Sequence, residues 1–232
     1  MNTQQAVAVV AGVGNGLSAA VCRNLAAHGY AVAGLARNRE VGEHLVQEIC
    51  NTGGGMRLFT CDLTDEVALR QAYDAIDTDL GVPEVLVYTA GAFLCKPLLD
   101  TTATDFEVLW RVNCLGAFLC AQQAVSRMQQ CGGGTVIFTG ATSAVKPGAK
   151  FSAFGSSKFA QRGLAQALAR ELGPQGIHVA HVILDGVIWA QGEDEACTLK
   201  AEAIAASYLH LIQQDRSAWT FELDLRPDVE RF

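Results

Sequence analysis

Short apolar runs recur along this chain at intervals that leave room for one helix between each pair. They are AVAVVA (6–11), AVAGLA (31–36), MRLFTC (56–61), EVLVYTA (84–90), GTVIFTG (134–140) and IHVAHVIL (177–184). Continuous apolarity, rather than strict alternation, is the pattern of strands buried on both faces. The stretches between them carry apolar residues three and four apart, as in Leu17, Val21, Leu25 and in Phe106, Leu109, Val112, which is the helical period. Strand and helix in alternation predict parallel strands joined by right-handed crossovers. The expected fold is therefore α/β: a doubly wound parallel sheet of six to seven strands with helices on both faces. The seventh strand is expected at 219–223, in a tail (about 214–232) where Trp219, Phe221, Leu223 and Leu225 alternate and would cover the sheet edge or a neighbouring subunit. No internal repeat or proline-rich linker divides 1–232, so one domain is expected. The glycine patches at 52–55 and 131–134 fall where helices should end before strands.

Half of the 232 residues are apolar and 18% are charged, enough for one well-buried domain and incompatible with disorder. A net charge of −7 without a basic stripe argues against nucleic acid or an anionic membrane as partner. No run of about eighteen apolar residues could span a bilayer. The first residues, MNTQQAVAVVAG, lack a basic region before their apolar run, so no signal peptide is expected and the cytoplasm is the expected address. Eight cysteines (22, 50, 61, 95, 114, 120, 131 and 197) include no C-x-x-C pair. A zinc site needs paired Cys or Cys/His spacing, so no metal is expected, and the cysteines read as small buried hydrophobes in a reducing compartment.

Directly after the first run stands AGVGNGLSAAVC, in which Gly12, Gly14, Asn15, Gly16 and Leu17 open a helix. Glycine there lets the backbone turn tightly and approach a pyrophosphate, whose charge is met by free N–H groups and the positive end of the helix. The fold expected on this basis is Rossmann-like. The spacing Gly12-x-x-x-Gly16-x-Ser18 resembles the G-x-x-x-G-x-G of the short-chain dehydrogenase/reductase family, with Ser18 in place of the third glycine. Further matches follow in the family's order over roughly residues 6–190: CDLTD with Asp62 and Leu63, YTAG with Ala90 and Gly91, VNCLGAF with Asn113, and SSKFA with Lys158.

The resemblance implies a nicotinamide dinucleotide as cofactor, with Asp62 at its adenine ring, and a small molecule as substrate. The second run ends GLARNRE, without the carboxylate that would take the ribose 2′-hydroxyl of NAD. Arg37 can instead meet a 2′-phosphate, so NADP(H) is expected over NAD(H); an exposed arginine at a helix start is the alternative. In the family a tyrosine exchanges the proton as hydride moves between nicotinamide and a carbonyl or alcohol. Its lysine, here Lys158, holds the nicotinamide ribose, its asparagine, here Asn113, orders a water, and a serine binds the substrate oxygen. Four residues before Lys158 stands Phe154, which has no proton to give. Thirteen before that stands Ala141, with Thr142 and Ser143 beside it. Either hydroxyl would enter the site after a short slip in the loop, or both cap a turn. Tyr88 is a further candidate donor, or a core aromatic at a strand end.

Lys158 among apolar residues needs a partner, either a bound ribose or a local group. After the sixth run, Asp185-Gly186 replaces the family's P-G turn, whose loop meets the nicotinamide carboxamide, and about seventeen residues from Asp185 to Ala203 leave room for only a short lid. His178 and His181 read as structural. The resemblance further implies a homodimer or homotetramer through the helices holding Asn113 and Lys158. The function expected is an NADP(H)-dependent oxidoreductase with an atypical proton donor, acting on a small carbonyl, alcohol or conjugated double bond; the alternative is a silent relative that binds NADP(H) as sensor or partner subunit.

Overall fold

The structure, a computed structural model, describes residues 5–188 and 198–230. The six apolar runs form β1 (Val7–Ala11), β2 (Ala31–Ala36), β3 (Gly55–Thr60), β4 (Pro83–Tyr88), β5 (Gly134–Thr139) and β6 (Ile177–Leu184). Between and after them lie α1 (Leu17–Ala27), α2 (Arg39–Asn51), α3 (Glu66–Asp79), α4 (Ala103–Trp110), α5 (Gly116–Met128), α6 (Ser152–Leu172) and α7 (Ala201–Ile212). Two-residue strands β7 (Val187–Ile188) and β8 (Thr198–Leu199) pair with each other, and β9 (Glu222–Leu225) closes the order. The main sheet runs β3-β2-β1-β4-β5-β6-β9, every neighbouring pair parallel. Chain direction across the sheet reverses between β1 and β4. In open α/β sheets that reversal opens a crevice at the carboxyl ends of the strands.

Side chains alternate from one face of each strand to the other, so the core divides in two. One layer joins the sheet to α1, α2 and α7 through Leu25, Leu45, Ile49 and Tyr208; the other joins it to α3, α5 and α6 through Tyr73, Ile76, Met128 and Leu172. Local signals start the helices: Asn38 and Asp65 accept backbone N–H bonds as N-caps of α2 and α3, and Thr102 with Asp105 forms a capping box on α4.

Two expectations shift. The seventh strand begins at Glu222 rather than 219, because Asp215 caps a short turn over Arg216–Ala218 and Trp219 turns inward to stack on His178, with ring centroids 5.0 Å apart. The cysteines are not uniformly buried: Cys22, Cys61 and Cys120 are, Cys114 is half-buried, and Cys50, Cys95 and Cys131 are exposed at helix ends and loops. Cys197 and most of the expected short lid lie outside the described residues. Among the described residues, no helix is long and apolar enough to cross a membrane, and no cluster of three His, Cys, Asp or Glu side chains could hold a metal ion.

Candidate functional site

A cavity of about 460 Å³ opens at the chain reversal between β1 and β4. Among the candidate site residues singled out in the sequence, Gly12, Arg37, Asp62, Leu63, Tyr88, Ala90 and Gly91 line it. Gly12 adopts φ +96°, and a side chain there would collide with Ala90 at 2.6 Å, so the turn requires glycine. At Gly16, by contrast, a Cβ would meet nothing within 4 Å; the glycine leaves open space at the head of α1. Ser18 fits without loss: its hydroxyl accepts from Gly14 N–H (2.8 Å) and donates to Gly14 C=O (3.2 Å), closing the turn on itself. Asn15 is exposed beside it and Leu17 is buried in the first turn of α1.

Asp62 accepts from the backbone N–H and hydroxyl of Thr64, both at 2.8 Å. The Thr64 amide bond first, then its hydroxyl, with Arg37 and Arg111 adding attraction, hold this carboxyl below the ordinary aspartate range. Arg111 also lines the cavity and was missed in the sequence. Its only signal is its place two residues before Asn113, in a widened helical turn spanning Arg111–Leu115 between α4 and α5.

Asn113 is fully buried in that turn. Its amide donates to Ala92 C=O (2.9 Å) and Ser157 Oγ (2.8 Å), and its Oδ1 accepts from Ala92 N–H (2.8 Å), so it ties the loop after β4 to α6. Tyr88 is buried, and its hydroxyl donates to Val112 C=O at 2.5 Å. Burial holds its pKa well above the ordinary phenol. This bond and the burial fit the alternative of a core aromatic at a strand end, with the residue also lining the cleft.

Lys158, also buried, has the local partners that the sequence left open: Nζ donates to Thr139 C=O (2.9 Å) and Gln161 Oε1 (3.3 Å). Burial draws its pKa down to about 8. Across from α6, His181 is enclosed on β6 with Nδ1 3.3 Å from Glu222, and burial lowers its pKa to about 4 despite that carboxylate. His178 Nε2 meets Thr220 C=O at 2.8 Å. Both histidines are thus held by the tail.

Phe154 is 8% exposed and packs edge-on against Phe93 (centroids 5.1 Å) and against Phe151 (6.1 Å). Ala141 joins the same apolar cluster. The two hydroxyls beside Ala141 diverge. Thr142 Oγ1 donates to Asp185 Oδ1 and contacts Leu184 C=O (3.3 Å), whereas Ser143 is buried in the same short turn. Gly186 follows at φ +149°, against Pro227 of the tail. The sequence residues thus fall into two groups along the carboxyl edge of the sheet: a polar, glycine-walled cleft at β1 and β4, and an apolar surface with one polar cluster at β5 and β6.

Residues 6–193 match the family model described as short chain dehydrogenase. The chain is 30% identical to L-2,3-butanediol dehydrogenase of Corynebacterium glutamicum over 87% of its own length and 81% of that enzyme's. Among solved structures, it resembles a short-chain dehydrogenase from Rhodopseudomonas palustris (TM-score 0.87, 35% identity, covering 96% of this chain and 98% of that one). A metagenomic short-chain oxidoreductase in complex with NADP is similar as well (TM-score 0.86, 26% identity, 97% and 98% covered).

Proposed function

The chain belongs to the short-chain dehydrogenase family, and from that premise we propose that it is an NADP(H)-dependent oxidoreductase acting on a small carbonyl, alcohol or conjugated double bond with an atypical proton donor. The observation that carries the reading is the cleft walled by Gly12, Ala90 and Gly91 and rimmed by Arg37 and Arg111. Its residues fit a dinucleotide. Gly12, Gly14, Asn15, Gly16 and Leu17 would hold the pyrophosphate, Asp62 and Leu63 the adenine, Ala90 and Gly91 the adenosine wall, and Arg37 the 2′-phosphate. Lys158 has three N–H donors and gives two of them to Thr139 C=O and Gln161 Oε1, which leaves one for the nicotinamide ribose. Gly186 would face the carboxamide. When bound, the cofactor supplies or takes a hydride. The solved neighbour in complex with NADP and the butanediol dehydrogenase relative agree with this reading.

On the resemblance, Phe154 stands at the family's tyrosine position, and Ala141, or after a short slip Thr142 or Ser143, at that of its serine. A general acid is worth about 10²–10⁴ in rate, so orientation of substrate and cofactor still leaves catalysis when it is lost. Ala141 and Phe154 also pack in one apolar cluster, which favours a second reading: a silent NADP(H)-binding relative. The exposed Phe106, Trp110, Phe118 and Phe159 on α4, α5 and α6 suit a homodimer or homotetramer through those helices.

Fluorescence titration with NADPH and NADH tests both readings, and no saturable binding of either below millimolar concentration overturns both. Phe154→Tyr, alone and with Ala141→Ser, then separates them on a small diketone such as butane-dione. Turnover that appears or rises supports the oxidoreductase. A variant that folds, binds NADPH and turns nothing over supports the silent relative.

A further inference from the structure

The carboxyl ends of β5 and β6 lie side by side, and Thr142 just beyond β5 donates its hydroxyl hydrogen to Asp185 just beyond β6. Asp185 is 6% exposed, and its other oxygen lies 3.2 Å from Arg226 and 3.8 Å from Lys146, so it is an ion-paired carboxylate rather than a solvated one. Burying a carboxylate is costly unless it is paired. Here the pairing occupies Oδ2 and leaves Oδ1 directed at a hydroxyl. Thr142 is only half-buried, its proton points at the carboxylate, and its oxygen lone pairs remain to accept a second proton. A hydroxyl held in this way by a carboxylate is the geometry in which one proton enters as another leaves.

We propose that Thr142 and Asp185 form the proton-handling pair of this site, Thr142 meeting an alcohol substrate and Asp185 acting as base behind it. The inference rests on the oxidoreductase reading above and names the donor that reading lacks. In alcohol oxidation the substrate O–H proton passes to Thr142 Oγ1 while the Thr142 proton passes to Asp185 Oδ1. The carbinol C–H bond breaks with its electron pair, which leaves as the hydride taken by the nicotinamide dinucleotide, and the C–O single bond becomes the carbonyl. One alcohol is oxidised by two electrons, one dinucleotide is reduced, and the released proton rests on Asp185. Ser143, in the same turn, has no such carboxylate beside it among the described residues, which selects Thr142 between the two hydroxyls.

The test uses the full chain with Thr142→Val, Thr142→Ser and Asp185→Asn. Formation of NADPH from NADP⁺ and 2,3-butanediol reports turnover, NADPH titration reports cofactor binding, and the fluorine NMR line width of trifluoroethanol reports alcohol binding without chemistry. We expect kcat to fall about 100-fold in Thr142→Val and Asp185→Asn, Thr142→Ser to keep a rate near wild type, and NADPH affinity to stay unchanged in all three. Trifluoroethanol broadening should be lost in Thr142→Val and kept in Thr142→Ser, so the pair is also tested without relying on Asp185→Asn to fold. Equal turnover by wild type and Thr142→Val overturns the pair. So does a wild type that binds NADPH yet oxidises no butanediol. Failure to bind NADPH at all overturns the cofactor reading instead, and the trifluoroethanol arm still decides the pair: equal broadening by wild type and Thr142→Val, or none by wild type, overturns it.

Discussion

Lys158→Met distinguishes a lysine kept for chemistry from one kept for the fold. Its ammonium is buried on α6, and burial draws its pKa from 10.5 to about 8. At neutral pH folded and unfolded chains both carry the charge, so the folded state bears about 3 kcal/mol of desolvation. Above pH 8 the folded lysine loses its proton while the unfolded one keeps it. The unfolded chain then binds more protons, and stability rises with pH through that window. From about pH 7 to about pH 10 wild type should gain roughly 2.5 kcal/mol relative to Lys158→Met, because methionine does not titrate and all other groups cancel in the difference. Urea unfolding of both proteins at the two pH values, by linear extrapolation, measures it. The same substitution should weaken NADPH about 10-fold or more, since a hydrogen bond from a charged donor is worth about 1.5–3 kcal/mol. A stability difference that stays flat with pH would refute the buried ammonium. Unchanged NADPH affinity would refute its place at the cofactor.

Three shorter expectations follow from other groups. Arg37→Ala should weaken NADPH by about 10-fold to 100-fold and leave NADH alone, because only the 2′-phosphate loses its partner; an equal loss for both nucleotides in parallel titrations argues that Arg37 does not read the phosphate. His181, whose pKa burial lowers to about 4 from 6.5, is protonated in the unfolded chain first. Wild type should therefore lose up to about 3 kcal/mol relative to His181→Leu as pH falls from 6.5 to 4, measured by urea titrations of both proteins across that range. Tyr88→Phe removes the bond to Val112 C=O and should cost about 1 kcal/mol of stability with NADPH affinity unchanged; weakened binding would show the hydroxyl acting on the cofactor.

The strands and the glycine turn were legible because each is a local property. Apolar runs of strand length and glycines that permit Gly12 its positive φ need no knowledge of distant residues. β9 was displaced because its start depends on the Asp215 cap and on Trp219 meeting His178, forty-one positions away in sequence. The polar site was harder for the same reason. Lys158 stood out as a cation in an apolar helix, yet its partners Thr139 C=O and Gln161 depend on how α6 lies across β5. Nothing near Asp185 announces Thr142, since their bond exists only because β5 and β6 are neighbours in the sheet. Arg111 enters the cleft through a widened turn whose extra residue no periodicity forecasts.

The tail makes these distant dependences one problem. Arg162 on α6 grips Glu222 with both ends of its guanidinium, at 2.7 and 2.8 Å, and the same carboxylate meets His181 on β6. Four residues along, Arg226 reaches Asp185. The helix that carries Phe154 and Lys158 and the loop that carries Asp185 are therefore both fastened to β9, within one strand's length. An edge strand leaves one row of backbone groups unpaired, and this one is tied to the sheet's neighbours by side chains as well, through Glu222 to α6 and through Arg226, just beyond it, to Asp185. On the proposed reading, the carboxylate of the proton-handling pair is held by that tie. The tail then belongs to the site as much as the glycine turn does.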